Sequence, residues 1–211
     1  AVEILNVTPA VNAGLDGTVA EGTAFVQTGS FTDAEPDSWT AIVNYGDGSG
    51  NQTLALNSNK TFNLNHAYGD NGTYTVTVTV TDSYLATGTD TLVVTVTNVA
   101  PTIVSLTGPA QGMYGQSSAF AGTFTDPGWL DTHAATWEVL QGGTTVAGPT
   151  TVDPTGNPAT FTFTPETAGV YQVRLTVNDH DGGSATHQQP FSVWCAGVIV
   201  DPASPSNSMI V

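Results

Sequence analysis

The stretch HAYGDNGTYTVTVTVTD, residues 66–82, decides the fold. Its second half alternates strictly. Tyr74, Val76, Val78 and Val80 fall on one side, and Thr75, Thr77, Thr79 and Thr81 on the other. Successive side chains of a strand point to opposite faces, so the pattern predicts a strand with one buried face and one wet face. β-branched residues suit that pleated, half-buried surface. Gly69, Asp70, Asn71 and Gly72 supply a turn before it, and Asp82 ends the run. The pattern returns in ETAGVYQVRLTVND, residues 166–179. There Tyr171, Val173, Leu175 and Val177 face inward, and Gln172, Arg174, Thr176 and Asn178 outward.

Other segments recur in step with this one. Asn98-Val99-Ala100-Pro101 echoes Asn6-Val7-Thr8-Pro9, and GTFTD at 122–126 echoes GSFTD at 29–33. A repeat of this length is a whole domain rather than a solenoid unit. The organisation expected is therefore two domains, 1–97 and 98–194, followed by a tail, 195–211. In the first domain, strands are expected over Val2–Val7, Thr23–Thr32, Trp39–Tyr45, Gln52–Leu56, Thr61–Asn65, Tyr74–Asp82 and Thr91–Thr97. A tight GDGSG turn lies at 46–50, and a loop is expected from Asp82 to Gly88. About seven short strands per unit with turn signals between them read as a β-sandwich. The fold class expected is all-β: two tandem Ig-like sandwiches. The tail, with Pro202, Pro205 and its serines, reads as a flexible linker carrying a stray strand at Val198–Val200.

Composition agrees and excludes several functions. Thr, Val, Gly and Asn dominate a 211-residue chain, which argues against helices. No apolar run is long enough to span a bilayer as a helix, so membrane insertion is not expected. No signal peptide is visible at Ala1, so the chain is expected to be a mature form or a piece of something longer. Eighteen acids oppose two basic residues, Lys60 and Arg174, for a net charge of −16. That charge repels phosphate backbones and anionic lipid, so nucleic acid is not an expected partner. The one cysteine, Cys195, permits neither an internal disulfide nor a CxxC zinc site.

The first repeat resembles a PKD (polycystic kidney disease) domain. The residues that carry the resemblance are Tyr45-Gly46-Asp47-Gly48, His66-Ala67-Tyr68, and Gly72-Thr73-Tyr74 running into the alternating strand. The second repeat departs from it, with Trp137-Glu138-Val139 in place of the GDG strand and no H-x-Y. It keeps FTD, G-x-Y and the alternation, as a divergent PKD-like or Ig-like domain. The resemblance implies an extracellular sandwich, found in tandem in microbial, chiefly bacterial, surface proteins and secreted hydrolases. It also implies a structural role for His66. Spacer, adhesion and carbohydrate-associated roles follow from it as expectations.

Catalysis is not expected. There is no G-x-S-x-G, no H-E-x-x-H and no phosphate-cradling loop, and His133, His180 and His187 are scattered. The acids cluster. The loops that follow the second and sixth strands of an Ig-like sandwich share one end. Asp33, Glu35 and Asp37 are thus expected near Asp82 in the first domain, and Asp126 and Asp131 near Asp179 and Asp181 in the second. Clustered carboxylates repel unless a cation sits among them, and calcium takes six to eight oxygens in irregular loops. The competing reading is that Asp and Asn here cap turns through local hydrogen bonds. Trp39 and Trp137 are expected at equivalent core positions. Trp129, in the acidic loop, is the aromatic expected to face a ligand. Tyr68 and Tyr74 flank a turn where one of them resembles a tyrosine corner.

Together these readings describe a non-enzymatic, extracellular structural or adhesion module, stiffened by calcium, within a larger cell-surface protein. Its expected partners are neighbouring domains of the same polypeptide and extracellular protein or polysaccharide. Two alternatives stand beside it: an accessory module of a secreted hydrolase, and a filament subunit that pairs through its tail strand.

Overall fold

One strand of alternating polar and apolar residues forms the centre of the larger sheet of each unit in a computed structural model. It describes residues 6–36, 38–154, 157–195, 199–200 and 209–210. No helix occurs among them. The chain divides into two compact units, Ala1–Val99 with Asp126–Asp131, and Ala100–Thr125 with Thr132–Val211.

Unit 1 holds β1 (Ala10–Asn12), β2 (Gly17–Ala20), β3 (Ala24–Thr32), β4 (Trp39–Asn44), β5 (Asn51–Leu54), β6 (Thr61–Ala67), β7 (Gly72–Asp82) and β8 (Thr87–Thr97). Its two sheets run β1-β3-β6 and β2-β8-β7-β4-β5. The alternating part of the 66–82 run is β7, the middle strand of the larger sheet. Val76, Val78 and Val80 are buried and the intervening threonines are not. Tyr74 is half-buried, because its hydroxyl reaches out to donate to the Asp70 carbonyl at 2.9 Å. The core is completed by Phe25, Phe31, Val43, Phe62, Leu64 and Leu92. Each such side chain contributes about 1.5–3 kcal/mol by leaving water.

Unit 2 repeats the plan: β9 (Thr102–Thr107), β10 (Gln111–Met113), β11 (Ser118–Thr125), β12 (Ala134–Gln141), β13 (Thr144–Val152), β14 (Ala159–Phe163), β15 (Gly169–Asn178) and β16 (Ser184–Trp194). The sheets run β9-β11-β14 and β10-β16-β15-β12-β13. Tyr171, Val173, Leu175 and Val177 of β15 are all buried. The glycine of G-x-F-T-D has the same task in both units. A Cβ on Gly29 would lie 2.2 Å from the Phe62 ring, and one on Gly122 would lie 2.2 Å from Leu175. Core side chains fill the space a larger residue would need.

Several expected elements differ. The strand expected at Val2–Val7 falls mostly on residues outside those described. Asn6 and Val7 are coil, and pairing begins after Pro9, which lacks an N–H for a ladder. Strands β2 and β10 were not anticipated. Each pairs in parallel with the last strand of its unit, β8 or β16. The loop expected from Asp82 to Gly88 is shorter, because β8 already starts at Thr87.

Trp39 and Trp137 are not equivalent. Trp39 pairs with Asp82 at the end of β7, whereas Trp137 pairs with Leu175 in the middle of β15. Trp137 therefore stands where unit 1 has Val43, the partner of Val78. Trp137 is wholly buried and Trp39 half-buried. In the tail, β17 (Ile199–Val200) pairs antiparallel with β18 (Met209–Ile210) of the same chain.

Candidate functional site

The turn from β7 to β8 is built on one carboxylate. Asp82 is 3% exposed. Its Oδ1 accepts from the amides of Tyr84 at 2.8 Å and Ala86 at 2.9 Å, and its Oδ2 accepts from Asn6 Nδ2 at 2.8 Å. Unit 2 repeats the device. Asp179 Oδ1 accepts from the amides of Asp181 and Gly183, both at 2.8 Å. The two aspartates that close the alternating strands thus serve as turn acceptors.

The loop after β3 carries the acids expected beside Asp82. Asp33 accepts from the Trp39 indole at 2.9 Å and from the Glu35 amide at 3.3 Å. The indole bond, partly opposed by burial, holds the Asp33 carboxyl below the usual carboxylate range. Burial, and then the neighbouring Asp33, push Glu35 upward. Lys60 caps this loop: its Nζ donates to the Asp33 carbonyl at 2.7 Å and lies 4.4 Å from the centre of the Trp39 ring. Asp37 lies outside the described residues. Among those residues, Asp33, Glu35 and Asp82 belong to no group of three ligating side chains gathered within 4.8 Å.

Such a group does form in unit 1 around an acid that sequence reading missed. Glu21, Asp126 and Asp131 bring carboxylate oxygens within 4.8 Å of one another. Glu21, 1% exposed, follows β2, and its Oε1 accepts from the Val99 amide at 2.6 Å. Asp126 Oδ1 accepts from the Gly128 amide at 3.0 Å, and the Asp131 amide closes the turn on the Gly128 carbonyl. Three hard oxygen donors this close suit calcium or magnesium and not a soft, nitrogen- or sulfur-seeking ion. Trp129 lies in the same segment, 58% exposed, with its ring against Gly69. The Leu130 amide donates to the Gly69 carbonyl at 3.0 Å. Asp181 belongs to the exposed β15–β16 turn of unit 2.

His66 is held between rings. It stacks on Tyr45 at 4.1 Å between centroids and meets Tyr68 edge-on at 4.8 Å. Its Nε2 lies 2.6 Å from Asp47 Oδ2. Burial pushes Asp47 up. Donation from the Ser49 hydroxyl and amide and the contact with His66 outweigh it and hold the carboxyl at about 2. A depressed carboxyl stabilises the fold above its unfolded value, near 4, and loses that contribution as pH falls through about 2. Asp47→Asn is expected to remove about 1–2 kcal/mol at neutral pH, after allowance for solvent screening. It should also flatten the acid limb of unit 1's stability curve between those two values, as read by urea titrations across pH. Tyr74 and Tyr171 both donate four residues back, to the Asp70 carbonyl at 2.9 Å and the Thr167 carbonyl at 2.7 Å. The tyrosine corner is therefore Tyr74 in unit 1 and Tyr171 in unit 2, and Tyr68 instead donates to the Tyr45 carbonyl.

Comparison with known proteins places these features. The search of curated proteins finds no match. Among solved structures, titin domains Z1Z2 in complex with telethonin match over 92% of this chain and 100% of that one, at 15% identity and a TM-score of 0.44. The PKD domain of an M14-like peptidase from a Thermoplasmatales archaeon matches over 46% of this chain and 98% of its own, at 25% identity and a TM-score of 0.35. The adhesin InvE of Yersinia pseudotuberculosis matches over 95% of this chain and 62% of its own, at 14% identity and a TM-score of 0.40. The sequence pattern of the PKD domain matches twice, at residues 6–96 and 98–194. The second match includes the repeat that lacks GDG and H-x-Y. This chain belongs to the PKD domain family, in two tandem copies.

Proposed function

We propose that this chain is a non-catalytic structural and adhesion module, an extracellular spacer within a larger cell-surface protein, and that calcium stiffens it. The observation that carries the reading is the faithful repetition of one closed sandwich. Each unit has its own core and the same strand order, with only Asn98–Pro101 between β8 and β9. A chain of self-sufficient sandwiches on short connections extends reach and bears load without needing a cleft for chemistry. The PKD family is typically non-catalytic, which agrees.

Calcium enters this reading at Glu21, Asp126 and Asp131. Their closeness favours a hard divalent ion, and an ion there would hold the 126–131 segment against the end of β2. What the ion supplies is charge neutralisation in the folded state alone. It should raise stability by mass action, by about 2.7 kcal/mol at a hundredfold excess over its dissociation constant. Calorimetry in calcium and then in chelator tests the reading. The expected result is a higher melting temperature with calcium, and a response lost in Glu21→Gln. Identical melting curves for the parent chain in the two media would refute the calcium part and leave the spacer reading standing. Unfolding under force tests the spacer reading separately, with two successive events expected from one chain.

A further inference from the structure

The two turns that follow the alternating strands share a frame of bonds to their first aspartate but differ in every residue after it. Their left-handed non-glycine positions differ too: His180, the second residue, at φ +68° in unit 2, and Leu85, the fourth, in unit 1. In unit 2 the frame is Asp179-His180-Asp181-Gly182-Gly183. The fourth residue, Gly182, has φ +104°, a conformation that glycine adopts freely. In unit 1 the frame is Asp82-Ser83-Tyr84-Leu85-Ala86. The fourth residue, Leu85, has φ +70°. Its amide donates to the Asp82 carbonyl at 3.2 Å, so the turn is closed around it. A leucine in the left-handed region is strained, and strain of this kind collects at functional positions. Packing does not explain the residue, because Leu85 is 82% exposed and Tyr84 beside it 70% exposed. An apolar pair thus stands in water on a chain of net charge −16, in a turn whose Tyr84 and Ala86 amides donate to a buried aspartate.

We propose that Tyr84 and Leu85 form a protein-docking tip of unit 1, fitted to an apolar pocket rimmed by Lys and Arg. The rigid frame supplies preorganisation, so little conformational freedom is lost on docking. Tyr and Leu supply the apolar anchor, the kind of residue pair on which interface energy concentrates. The rim follows from charge. Asp82 pairs in register with Trp39, whose indole binds Asp33, so the carboxylates of Asp33 and Glu35 share this end of the sandwich with the tip and outnumber the one cation there among the described residues, Lys60. An acidic surface would meet repulsion there, a neutral one no attraction, and a basic one attraction. Unit 2 has Asp181 and Gly182 at the equivalent positions, so the tip belongs to unit 1 alone.

The test uses the full 211-residue chain and its Leu85→Gly and Tyr84→Ser variants. A structural role predicts a fall in melting temperature on Leu85→Gly. The docking tip predicts no fall, and a rise of a few degrees if strain relief exceeds the entropy of the new glycine. A fall of several degrees would overturn the proposal. The binding probe is a random dodecapeptide display library panned on the parent chain. The expected peptides combine an aromatic or aliphatic anchor with Arg or Lys, and bind each variant at least about tenfold more weakly. Peptides that bind parent and variants alike, or that carry no basic residues, would overturn it. Two further outcomes assign the tip elsewhere and also overturn it. One is concentration-dependent sedimentation abolished by Leu85→Gly, which means a second copy. The other is co-sedimentation with phosphatidylcholine vesicles abolished by the same change, which means lipid.

Discussion

Trp137→Ala is expected to be the most damaging substitution in unit 2, lowering its stability by about 3–5 kcal/mol. Trp137 is completely buried and stacks on Phe161 with ring centroids 5.5 Å apart and planes 9° apart. Truncation leaves a cavity bounded by strands on both sides, and a sheet centre has little freedom to collapse into it. For a domain of about a hundred residues that loss moves the melting transition down by more than about 10 °C, which calorimetry reads directly. Trp137→Phe should behave differently. The indole Nε1 is buried without a hydrogen-bond partner among the described residues, so the tryptophan carries a desolvation penalty that phenylalanine lacks. Relief of about 1–3 kcal/mol offsets much of the lost volume, and a net change under about 1.5 kcal/mol is expected. If Phe is as damaging as Ala, the buried N–H is satisfied by water and the packing account is incomplete.

How much of this was legible before the structure depends on whether a signal was local. Val76, Val78 and Val80, and their counterparts Val173, Leu175 and Val177, follow a period of two that only a one-sided strand explains, and all six are buried. Strands β2 and β10 were missed because they are four and three residues long and have no alternation. They exist only because β8 and β16 offer a parallel edge. The Trp39–Trp137 equivalence failed for a different reason. Residue type suggested it, but register decides it. Asn178 pairs with Ala134, which sets Asp179 opposite His133, so His133 and not Trp137 is the counterpart of Trp39. The rings agree, since His133 lies 4.9 Å from Phe124 as Trp39 lies 5.4 Å from Phe31. Glu21 was invisible as a site residue because its neighbours Ala20 and Gly22 give no pattern and its companions, Asp126 and Asp131, lie far along the chain.

The aspartates that end the alternating strands give the second large effect. Asp82→Ala removes an acceptor that three donors share: the amides of Tyr84 and Ala86 and the side chain of Asn6. Asp82 is nearly inaccessible to water, so the stranded donors cannot all be rehydrated. The bonds are only partly buried, so each lost one costs toward the low end of about 1–3 kcal/mol, and a total of about 2–4 kcal/mol is expected for unit 1. The turn should loosen first, because both of the amides it depends on lose their partner at once. Amide exchange at Tyr84 and Ala86 is therefore expected to speed by more than the global loss of stability explains. Asp82→Asn separates the turn role from a charge role. Its carbonyl oxygen can still accept from the two amides, while the position facing Asn6 becomes an NH2 donor or is lost by rotation. A cost of about 1 kcal/mol is expected, with amide exchange close to that of the parent chain. If Asn is as harmful as Ala, and if calcium stabilises the parent but neither variant, then the negative charge is what matters and Asp82 acts as a cation ligand. If Asn is mild and both variants keep the parent's response to calcium, the aspartate is a turn acceptor. The same pair of substitutions at Asp179, which holds the amides of Asp181 and Gly183 in the same way, should then reproduce the contrast in unit 2.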